Sequence, residues 1–293
     1  MTLRLQRNCL GFELHDGDRF VSLYRAREEL PRTESPKPCF APIYTPSGRL
    51  ITDYRPADHR WHTGLYFGWV HVNQANLWGG PWYLPETGKY EQVENSHGVQ
   101  RHDDFYDEQA GGEGVSIRER LTWLDQADRP VASEIRSMAF RTMPDDLGHL
   151  WAIDAQIEPT GEKLSLGASK ATARYSGLEL RMGPPFADAL HLSSEGARGH
   201  ESIMGSRARW VSAAGATGGT VVMMDHPRNP RHPVTWFTRK NLLGAGLLMD
   251  GPLELQRSDV LRLRYGFAIT DLALDRGSIE PIYDRFIQLS PTP

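Results

Sequence analysis

Apolar and polar residues alternate along most of this chain with a period of two, and turn-forming residues separate the alternating runs. Residues 11–14 and 20–25 flank the sequence His-Asp-Gly-Asp, and Asp-Gly between alternating runs is a strong hairpin signal. Residues 116–124 and 131–141 flank a polar interruption and predict a second hairpin. The pattern therefore predicts a chain made largely of antiparallel strands.

The same pattern predicts strands in the rest of the chain. Residues 39–44 and 49–53 flank Thr-Pro-Ser-Gly, in which Pro fixes φ and Gly permits a positive φ, so we expect a turn. In residues 149–158 only one alternating set is uniformly apolar, which predicts one buried and one polar face. Residues 252–255 and 260–270 flank a short polar turn and predict a last hairpin.

Helix signals are sparse, and the best lies near the C-terminus. In residues 278–289, Ser278 can cap a helix and Pro281 is tolerated in a first turn. Many short strands with few helices predict a mostly β fold, a large antiparallel β-sandwich with few short helices including the C-terminal one. No linker or repeat of fixed period is detected, so residues 1–293 are expected to form a single domain.

Composition narrows the classes of partner. The net charge is −4 and no basic stripe is present, which disfavours nucleic acid. Two cysteines cannot build a disulfide framework, and no apolar stretch has the length of a signal peptide or a membrane span, so we expect a cytoplasmic protein with no membrane contact. The G-x-G-x-x-G, Walker A, G-x-S-x-G and H-E-x-x-H motifs are missing, and no nucleotide cofactor is expected.

The segment richest in chemistry is residues 56–82, with three histidines and four tryptophans. Its inner run, residues 65–70, predicts a buried strand with polar groups on both flanks. Polar groups beside a buried strand need partners or a ligand. Tryptophan next to Asn, Asp and Arg is typical of a sugar site, because the ring face packs on C–H groups and planar side chains bond hydroxyls. Trp61, Asn76 and Trp78 are therefore candidate substrate contacts.

His59 and His62 are three residues apart in this segment. A helix or a turn would bring them together, whereas a strand would separate them. Three roles remain open for the pair: ligation of a divalent metal, direct catalytic or substrate contact, and structural hydrogen bonding. Metal binding would need a third ligand. The candidates for it are Asp58, His97, His102, Asp225 and His226.

Two further segments carry similar chemistry. Residues 225–233 follow a predicted strand and contain three prolines, which predicts a rigid loop at a strand end. In this loop Asp225 and Asn229 are candidate substrate contacts and His226 a candidate catalytic residue, although a stiff surface turn explains the prolines equally well. Arg181, in the sequence YSGLELRM, is a candidate for binding a carboxylate or a hydroxyl pair.

A fourth candidate is His97, whose neighbour Gly98 permits close approach of a ligand. We include it among the catalytic candidates, in a loop expected to lie over the site. Glu119 and Glu134 are weaker candidates for acids, because solvated strand residues would look the same in the sequence.

A family resemblance follows from motifs that occur in a specific order across about residues 30–290. They are PCFAPIYTPSGRLIT, DHRWHTGLYFGW, VNQANLWGG, YSGLELRM, SSEG, RARWV and MMDHPRNPRHPVTWF. The chain resembles an uncharacterised bacterial family once labelled "methane oxygenase PmoA". That label does not fit, since subunits of particulate methane oxygenase are embedded in a membrane and this sequence predicts no span.

The resemblance implies a β-sandwich similar to the galactose-mutarotase supersandwich and an association with sugar dehydrogenases and carbohydrate catabolism. It brings no mechanism with it. The positions that match the family are His59, His62, Arg181, Asp225, His226 and Asn229. A mutarotase proper would need a histidine acid, which His97 or His226 could supply, and a glutamate base, for which no residue is clearly placed.

Three functions are consistent with these observations. The first is an enzyme that uses histidine acid/base chemistry, with or without a metal, on a sugar or an oxidised sugar derivative, as a lyase or hydratase, an epimerase or a glycoside-cleaving enzyme. The second is a carbohydrate-binding or sensing protein without catalysis. The third is a metal-dependent oxygenase with a two-histidine, one-carboxylate site. The expected partner is a small sugar-like molecule, and homo-oligomerisation is left open.

Overall fold

Strands dominate the computed structural model, which describes residues 2–111, 114–167 and 175–289. In chain order, the strands of these residues are β1 (Leu3–Arg7), β2 (Gly11–Asp16), β3 (Arg19–Arg25), β4 (Cys39–Ile43), β5 (Leu65–Val72), β6 (Ala75–Leu77), β7 (Trp82–Leu84), β8 (Lys89–Glu91), β9 (Val99–Gly111), β10 (Gly114–Leu124), β11 (Pro130–Thr142), β12 (His149–Pro159), β13 (Lys163–Leu166), β14 (Ser176–Arg181), β15 (Leu190–Ser193), β16 (Trp210–Ala214), β17 (Thr220–Asp225), β18 (Trp236–Arg239), β19 (Leu242–Ala245), β20 (Leu253–Gln256) and β21 (Leu261–Thr270). The α-helices are α1 (His200–Ile203) and α2 (Arg276–Gln288).

Two large antiparallel sheets contain nearly all of these strands. The first sheet has the order β1-β2-β3-β4-β5-β14-β19-β18, with β6 and β13 also paired to β5 and β20 paired to β13. The second has the order β15-β16-β17-β21-β12-β11-β10-β9. Strands β7 and β8 form a separate hairpin. Because β5 and β14 are central in the first sheet, side chains on them are held on both sides by neighbouring strands.

The sheets pack face to face over an apolar core. The Phe40 and Trp151 rings, one from each sheet, lie 5.1 Å apart, and Trp69 and Trp123 lie 5.6 Å apart. Large aromatic rings at such distances contribute both buried area and favourable ring geometry. The mostly β sandwich class predicted from the sequence is confirmed.

Two of the predicted hairpins are present in the structure. Strands β2 and β3 pair around the Asp-Gly turn, and β10 and β11 pair antiparallel over their whole length. The predicted apolar face of β12 is also found in the core, where Trp151, Ile153 and Ile157 are buried.

Two strand predictions are wrong. Strands β20 and β21 do not form a hairpin, since β20 pairs with β13 in the first sheet and β21 lies between β12 and β17 in the second. The turn between them therefore carries the chain from one sheet to the other. Residues 49–53 form isolated bridges, such as Thr52 with Met182, instead of a continuous strand. Pattern alone fixes which side chains share a face, but not which sheet a strand joins.

Helix α2 begins two residues earlier than predicted. Its N-cap is Asp275, whose carboxylate accepts a 2.8 Å hydrogen bond from the Ser278 amide, so Ser278 is capped and is not the cap. Pro281 consequently lies beyond the first turn. The apolar side of the helix, including Ile282 and Phe286, is buried against the outer face of the second sheet.

The other helical segments are short. Helix α1 has four residues, and single 3-10 turns occur at Arg32–Glu34, Pro144–Asp146, Pro184–Phe186 and Leu247–Asp250. None of the helices in the described part of the chain is long and apolar enough to cross a membrane.

Candidate functional site

Polar side chains gather on the outer face of the first sheet, where the alternation of β14 places them. Leu178 and Leu180 are buried in the core between the sheets. Glu179 and Arg181 alternate with them and therefore lie on the opposite face. A small apolar cluster that includes Tyr66 and Trp78 covers part of this face.

Beside this cluster lies a cavity of about 390 Å³, which we call the outer-sheet cavity. It is formed by the turn that precedes β5, by the ends of β14, β18 and β19, and by α1. Its lining residues are His59, His62, Trp78, Tyr175, Arg181, His200, Phe237, Arg239, Lys240, Asn241 and Leu242. Four of the sequence-predicted site residues, two histidines, one tryptophan and one arginine, are thus brought together.

A tight turn brings the two neighbouring histidines onto the same wall. The amide of His62 donates to the carbonyl of His59 at 2.9 Å, and the amide of His59 donates to the carbonyl of Pro56 at 3.0 Å. The two imidazole rings are 4.9 Å apart between centroids and inclined by 31°. The turn thus brings His59 and His62 together, whereas a strand would have placed them on opposite faces.

His62 is the most enclosed polar group in the cavity wall. It is 4% exposed, and neither ring nitrogen has a hydrogen-bond partner in the described protein. Burial, followed by the nearby charges of His59, Arg181 and Lys37, holds the pKa of His62 well below its ordinary value of 6.5. The ring is therefore neutral at neutral pH, with a lone pair that can accept a proton.

His59 is more exposed and is oriented by its neighbour. Its Nδ1 lies 2.7 Å from Oδ2 of Asp58, and the side chain retains 42% exposure. The hydrogen bond with His59 is the main reason why the pKa of Asp58 is lowered. A carboxylate that holds one nitrogen of an imidazole fixes the ring and leaves the other nitrogen for a ligand.

Arg181 reaches the cavity from the end of β14 without a close partner. Its side chain is 12% exposed, its Nε is buried without a hydrogen bond, and its nearest carboxylate oxygen, on Asp58, is 3.7 Å away. A buried guanidinium with so little compensation is costly, because removal of a charge from water is repaid only by close, well-formed contacts.

The remaining wall is aromatic. Tyr175 stacks on Trp78 with centroids 4.3 Å apart, and it meets Phe237 edge-on at 5.3 Å. Because Tyr175 covers a face of Trp78, Tyr175 and Phe237 offer more ring surface to a ligand than Trp78 does. Trp61 touches the edge of Trp78 at 5.9 Å but is not part of the lining.

The sequence analysis missed Glu179, which lies beneath this wall. Glu179 is fully buried, and its Oε2 accepts hydrogen bonds from Trp78 Nε1 at 2.9 Å and Tyr66 Oη at 3.0 Å. Burial raises its pKa to about 7. The available signal was a single acid in an otherwise apolar run, Leu178-Glu179-Leu180.

Lys37 was missed as well. Its ammonium is buried and donates to four backbone carbonyls, including those of Trp61 at 3.2 Å and Trp78 at 2.9 Å. Burial lowers its pKa to about 8. Lys37 thereby ties the turn that carries the histidines to the loop that carries Trp78, and its only sequence signal is a lysine between two prolines.

Asn76 and His97 lie behind the cavity, and their polar atoms are already used. Asn76 is fully buried, and its Oδ1 accepts the amides of Trp78 and Gly79 at 2.8 Å each. His97 Nε2 lies 2.7 Å from the carbonyl of Gly80. Both side chains shape the loop that positions Trp78, so the geometry assigns them support of the wall and no ligand contact.

The second predicted loop lies elsewhere, and the expected convergence of His226 with His59 and Arg181 is not found. It begins after β17 of the second sheet, where His226 packs on Phe286 of α2 at 5.5 Å, and it leads into β18 of the first sheet. None of residues 225–233 lines the outer-sheet cavity. His226 lines a different cavity of about 370 Å³ with Asp154 and Arg264.

In that loop Asp225 and Asn229 are structural in this geometry. Asp225 accepts hydrogen bonds from His232 Nδ1 at 2.7 Å, the Val234 amide at 2.9 Å and Asn229 Nδ2 at 2.7 Å. Asn229 also exchanges two 2.7 Å bonds with the backbone of Arg264. These bonds fasten the proline-rich loop to β21.

Glu119 and Glu134 are buried instead of solvated. Glu119 accepts a 2.7 Å bond from His102 Nδ1, and Glu134 accepts a 2.8 Å bond from Arg136 Nε. This network faces the interior and does not line the outer-sheet cavity.

The donor set does not make a metal site of the type expected for an oxygenase. In the described residues no group of three or more His, Cys, Asp and Glu side chains is placed to hold a metal ion. His59 and His62 are neighbours, but Asp58, the acid next to them, is engaged by His59 Nδ1. A two-histidine, one-carboxylate triad is therefore not assembled here.

Comparison with known proteins identifies a family but no activity. A family described as "Family of unknown function (DUF6807)" matches residues 12–284. No curated protein matches the sequence. A heparan sulfate lyase HepC mutant from Pedobacter heparinus is similar in structure, with a TM-score of 0.40 and 8% identity over 94% of this chain. The chain spans 36% of that lyase.

A second solved structure, described as HI1317, has a TM-score of 0.32 and 8% identity, over 92% of this chain and 100% of the other. Both likenesses are too weak to support an argument about function. The galactose-mutarotase architecture and the resemblance to the family once labelled "methane oxygenase PmoA" stay predictions from the sequence.

Proposed function

Since the chain belongs to the DUF6807 family, which is of unknown function, its activity has to be argued from the site, and we propose that the outer-sheet cavity is the active site of a carbohydrate-modifying enzyme. The substrate is a sugar or an oxidised sugar derivative, and the chemistry is histidine acid/base catalysis. The observation that carries the proposal is His62, a neutral, nearly fully buried imidazole with two unpartnered nitrogens in a cavity wall.

The roles of the polar groups follow from their surroundings. His62 accepts a proton from a carbon next to the carbonyl or carboxyl group of an oxidised sugar. The electron pair of the broken C–H bond moves toward that group, whose growing negative charge lies near the Arg181 guanidinium. His59, with Nδ1 held by Asp58, gives a proton to the oxygen that leaves the neighbouring carbon. The net change is loss of H and OR across one C–C bond.

Elimination, or the reverse hydration, fits better than the other reaction classes. Glycoside hydrolysis by paired acids needs two carboxylates that flank the bond, and no Asp or Glu is part of the described cavity lining. Epimerisation through two bases needs them on opposite faces of the carbon, whereas His59 and His62 lie on one wall with rings 4.9 Å apart.

A non-catalytic sugar-binding protein is the second candidate, favoured by the aromatic wall of Tyr175, Trp78 and Phe237. His62→Gln separates the two functions. An enzyme loses turnover about 10²- to 10⁴-fold while its affinity for sugar changes little, since a general base acts in the transition state. The assay follows formation of the unsaturated carbonyl product from glycosides of oxidised sugars by absorbance and NMR.

His226→Gln is the matched control, because this histidine lies on the other side of the core. Full turnover in the His62→Gln variant would overturn the enzyme proposal. A drop in affinity that fully accounts for the lost signal would favour the binding protein.

A further inference from the structure

We infer that the substrate of the outer-sheet cavity is an acidic sugar, whose carboxylate is bound by Arg181. The inference rests on the proposed function in one respect only, namely that the cavity takes a sugar. The assignment of the carboxylate comes from the charges around the cavity and from the state of the Arg181 side chain.

The first observation is that Arg181 is desolvated without being satisfied. The side chain is 12% exposed, yet none of the side-chain hydrogen bonds among the described residues uses its guanidinium, and Nε is buried and unpartnered. A guanidinium presents five N–H donors in a planar fork that matches a carboxylate. A bound carboxylate would supply the acceptors that the described residues do not.

The second observation is that Asp58 is a poor counter-ion for Arg181. Its Oδ2 lies 3.7 Å from Arg181 Nη2 but 2.7 Å from His59 Nδ1, and its side chain is 63% exposed. The short bond is with the histidine, and water screens the longer contact with the arginine. The described protein groups therefore leave the guanidinium charge largely uncompensated.

The third observation is the sign of the surrounding charge. Arg239 and Lys240 also line the cavity, and the described lining contains no carboxylate. Arg239 lies over the Phe237 ring and donates to the carbonyl of Thr238, and Lys240 pairs with the exposed Asp188. These two groups thus have partners of their own and add a positive field that attracts an anion.

A neutral sugar fits this wall less well, since hydroxyl groups can accept hydrogen bonds from Arg181 but leave its charge unpaired. A carboxylate on Arg181 would also place the adjacent carbon on the wall that His62 and His59 share. The proton on that carbon is the one that the proposed elimination removes, so the carboxylate-binding residue and the base act on adjacent atoms.

The test compares D-glucuronate with D-glucose, which differ at one carbon, by calorimetric titration at low ionic strength. We expect the wild-type protein to bind glucuronate at least tenfold more tightly. Arg181→Met should weaken glucuronate binding about 10- to 100-fold, the range for loss of hydrogen bonds to a charged group, and should weaken glucose binding much less. Arg257→Met, an exposed arginine paired with Glu162, is the matched control and should leave both affinities unchanged.

Equal affinity for the two sugars, no measurable affinity for either, or a preference that survives in Arg181→Met would each overturn the inference. Thermal unfolding of the free proteins tests a purely structural role. Arg181→Met should be as stable as the wild type or more so, whereas a clear loss of stability would show that the guanidinium serves the fold.

The outcome is separable from that of the proposed function. Selective glucuronate binding with no turnover of any oxidised sugar would keep the carboxylate site and reject the enzyme. Turnover that depends on His62 but shows no preference for acidic substrates would keep the enzyme and reject the carboxylate site.

Discussion

The carboxylate of Glu179 accepts a 2.9 Å hydrogen bond from the indole nitrogen of Trp78, and this bond ties the aromatic wall of the cavity to a central strand of the first sheet. The same oxygen accepts a bond from Tyr66 at 3.0 Å. A fully buried acid that supports two aromatic side chains is a positioning residue, since it is not part of the cavity lining.

The titration of Glu179 predicts how stability depends on pH. Burial raises its pKa from the ordinary 4.5 to about 7. A raised folded-state pKa gives stability that is complete below pH 4.5 and is lost as the pH rises through about 7, because the unfolded chain ionises first. Glu179→Gln cannot ionise and should lack this loss, which amounts to roughly 3 kcal/mol at about 1.4 kcal/mol per pKa unit.

Urea unfolding of the wild type and of Glu179→Gln at several pH values measures the difference, and the exposed Glu201→Gln serves as control. Groups that do not interact with Glu179 titrate alike in all three proteins and cancel in the differences. Burial lowers the pKa of Lys37 to about 8 and the Glu179 charge acts to raise it, so the comparison is made at pH values below 8. Parallel pH dependences for the wild type and Glu179→Gln would contradict the assignment.

The neutral state of His62 predicts how the activity depends on pH below neutrality. Its pKa lies well below 6.5, and a base must be unprotonated to act, so activity should persist below pH 6.5 and fall only at lower pH. The sign for stability is opposite to that of Glu179. A lowered folded-state pKa gives stability that is present above 6.5 and is lost as the pH falls.

NMR of the imidazole nitrogens measures this state directly. The His62 resonances should remain those of a neutral ring at pH 6, and His62→Gln identifies them by their absence. A midpoint at or above 6.5 would mean that the ring is solvated or paired with an acid, and it would contradict the buried, unpartnered state assigned to His62.

The second loop yields a prediction that separates fold from function. Asn229→Ala removes the buried partner of the Arg264 amide and of one oxygen of Asp225, while the Arg264 carbonyl keeps its bond from the His226 amide at 3.3 Å. The expected cost is about 2–3 kcal/mol of unfolding free energy, since unpaired buried groups lose their full solvation. Because Asn229 does not line the outer-sheet cavity, kcat/KM at a temperature where the variant is folded should be unchanged.

Chemical denaturation and the elimination assay, run on the same preparation, check both halves of this expectation. Arg181→Met is the complementary variant, with activity reduced and stability kept. If Asn229→Ala lowered kcat/KM while folded, the loop would be coupled to the cavity, most directly through β18, which follows it in the chain.

Part of the fold and of the cavity can be predicted from the sequence. Alternation correctly predicts the strands around residues 116–124 and 149–158, because a half-buried strand must repeat every two residues. The uninterrupted apolar run of residues 65–70 correctly predicts a strand that is buried on both faces. Alternation also predicts which residues share a face, whereas the chemistry of its side chain alone suggests Arg181. It cannot decide which sheet a strand enters, so the hairpin expected at residues 252–270 and the approach of His226 to His59 both failed on that point.

The sequence also does not reveal the two buried ionisable groups near the cavity. Glu179 and Lys37 are invisible in the pattern, because one charged residue in an apolar run looks the same whether it points to solvent or to buried partners. The single-domain organisation stays a proposal, supported by one apolar core that contains side chains of both sheets.

A glycine beneath the aromatic wall gives the last prediction. Gly68, in β5, has no side chain because a Cβ there would lie 2.5 Å from Cδ1 of Trp78 and 3.1 Å from the Tyr66 ring. Gly68→Ala should therefore push the indole outward and weaken its bond to Glu179, at the cost of about 1–3 kcal/mol that is typical of overpacking. His62 packs edge-on against the Trp78 ring with centroids 5.2 Å apart, but the turn that carries His62 keeps its own backbone hydrogen bonds.

We expect Gly68→Ala to weaken sugar binding while the pKa of His62 stays low, because the wall moves and the buried turn does not. Tryptophan fluorescence follows the displacement of the indole, and calorimetric titration measures the affinity for sugar. NMR of the imidazole nitrogens reports the pKa of His62. Gly161→Ala is the control, since a Cβ at that glycine meets nothing within 4 Å. Unchanged affinity in a folded Gly68→Ala protein would mean that the ligand does not rest on Trp78 and Tyr175, and would move the binding surface toward Phe237.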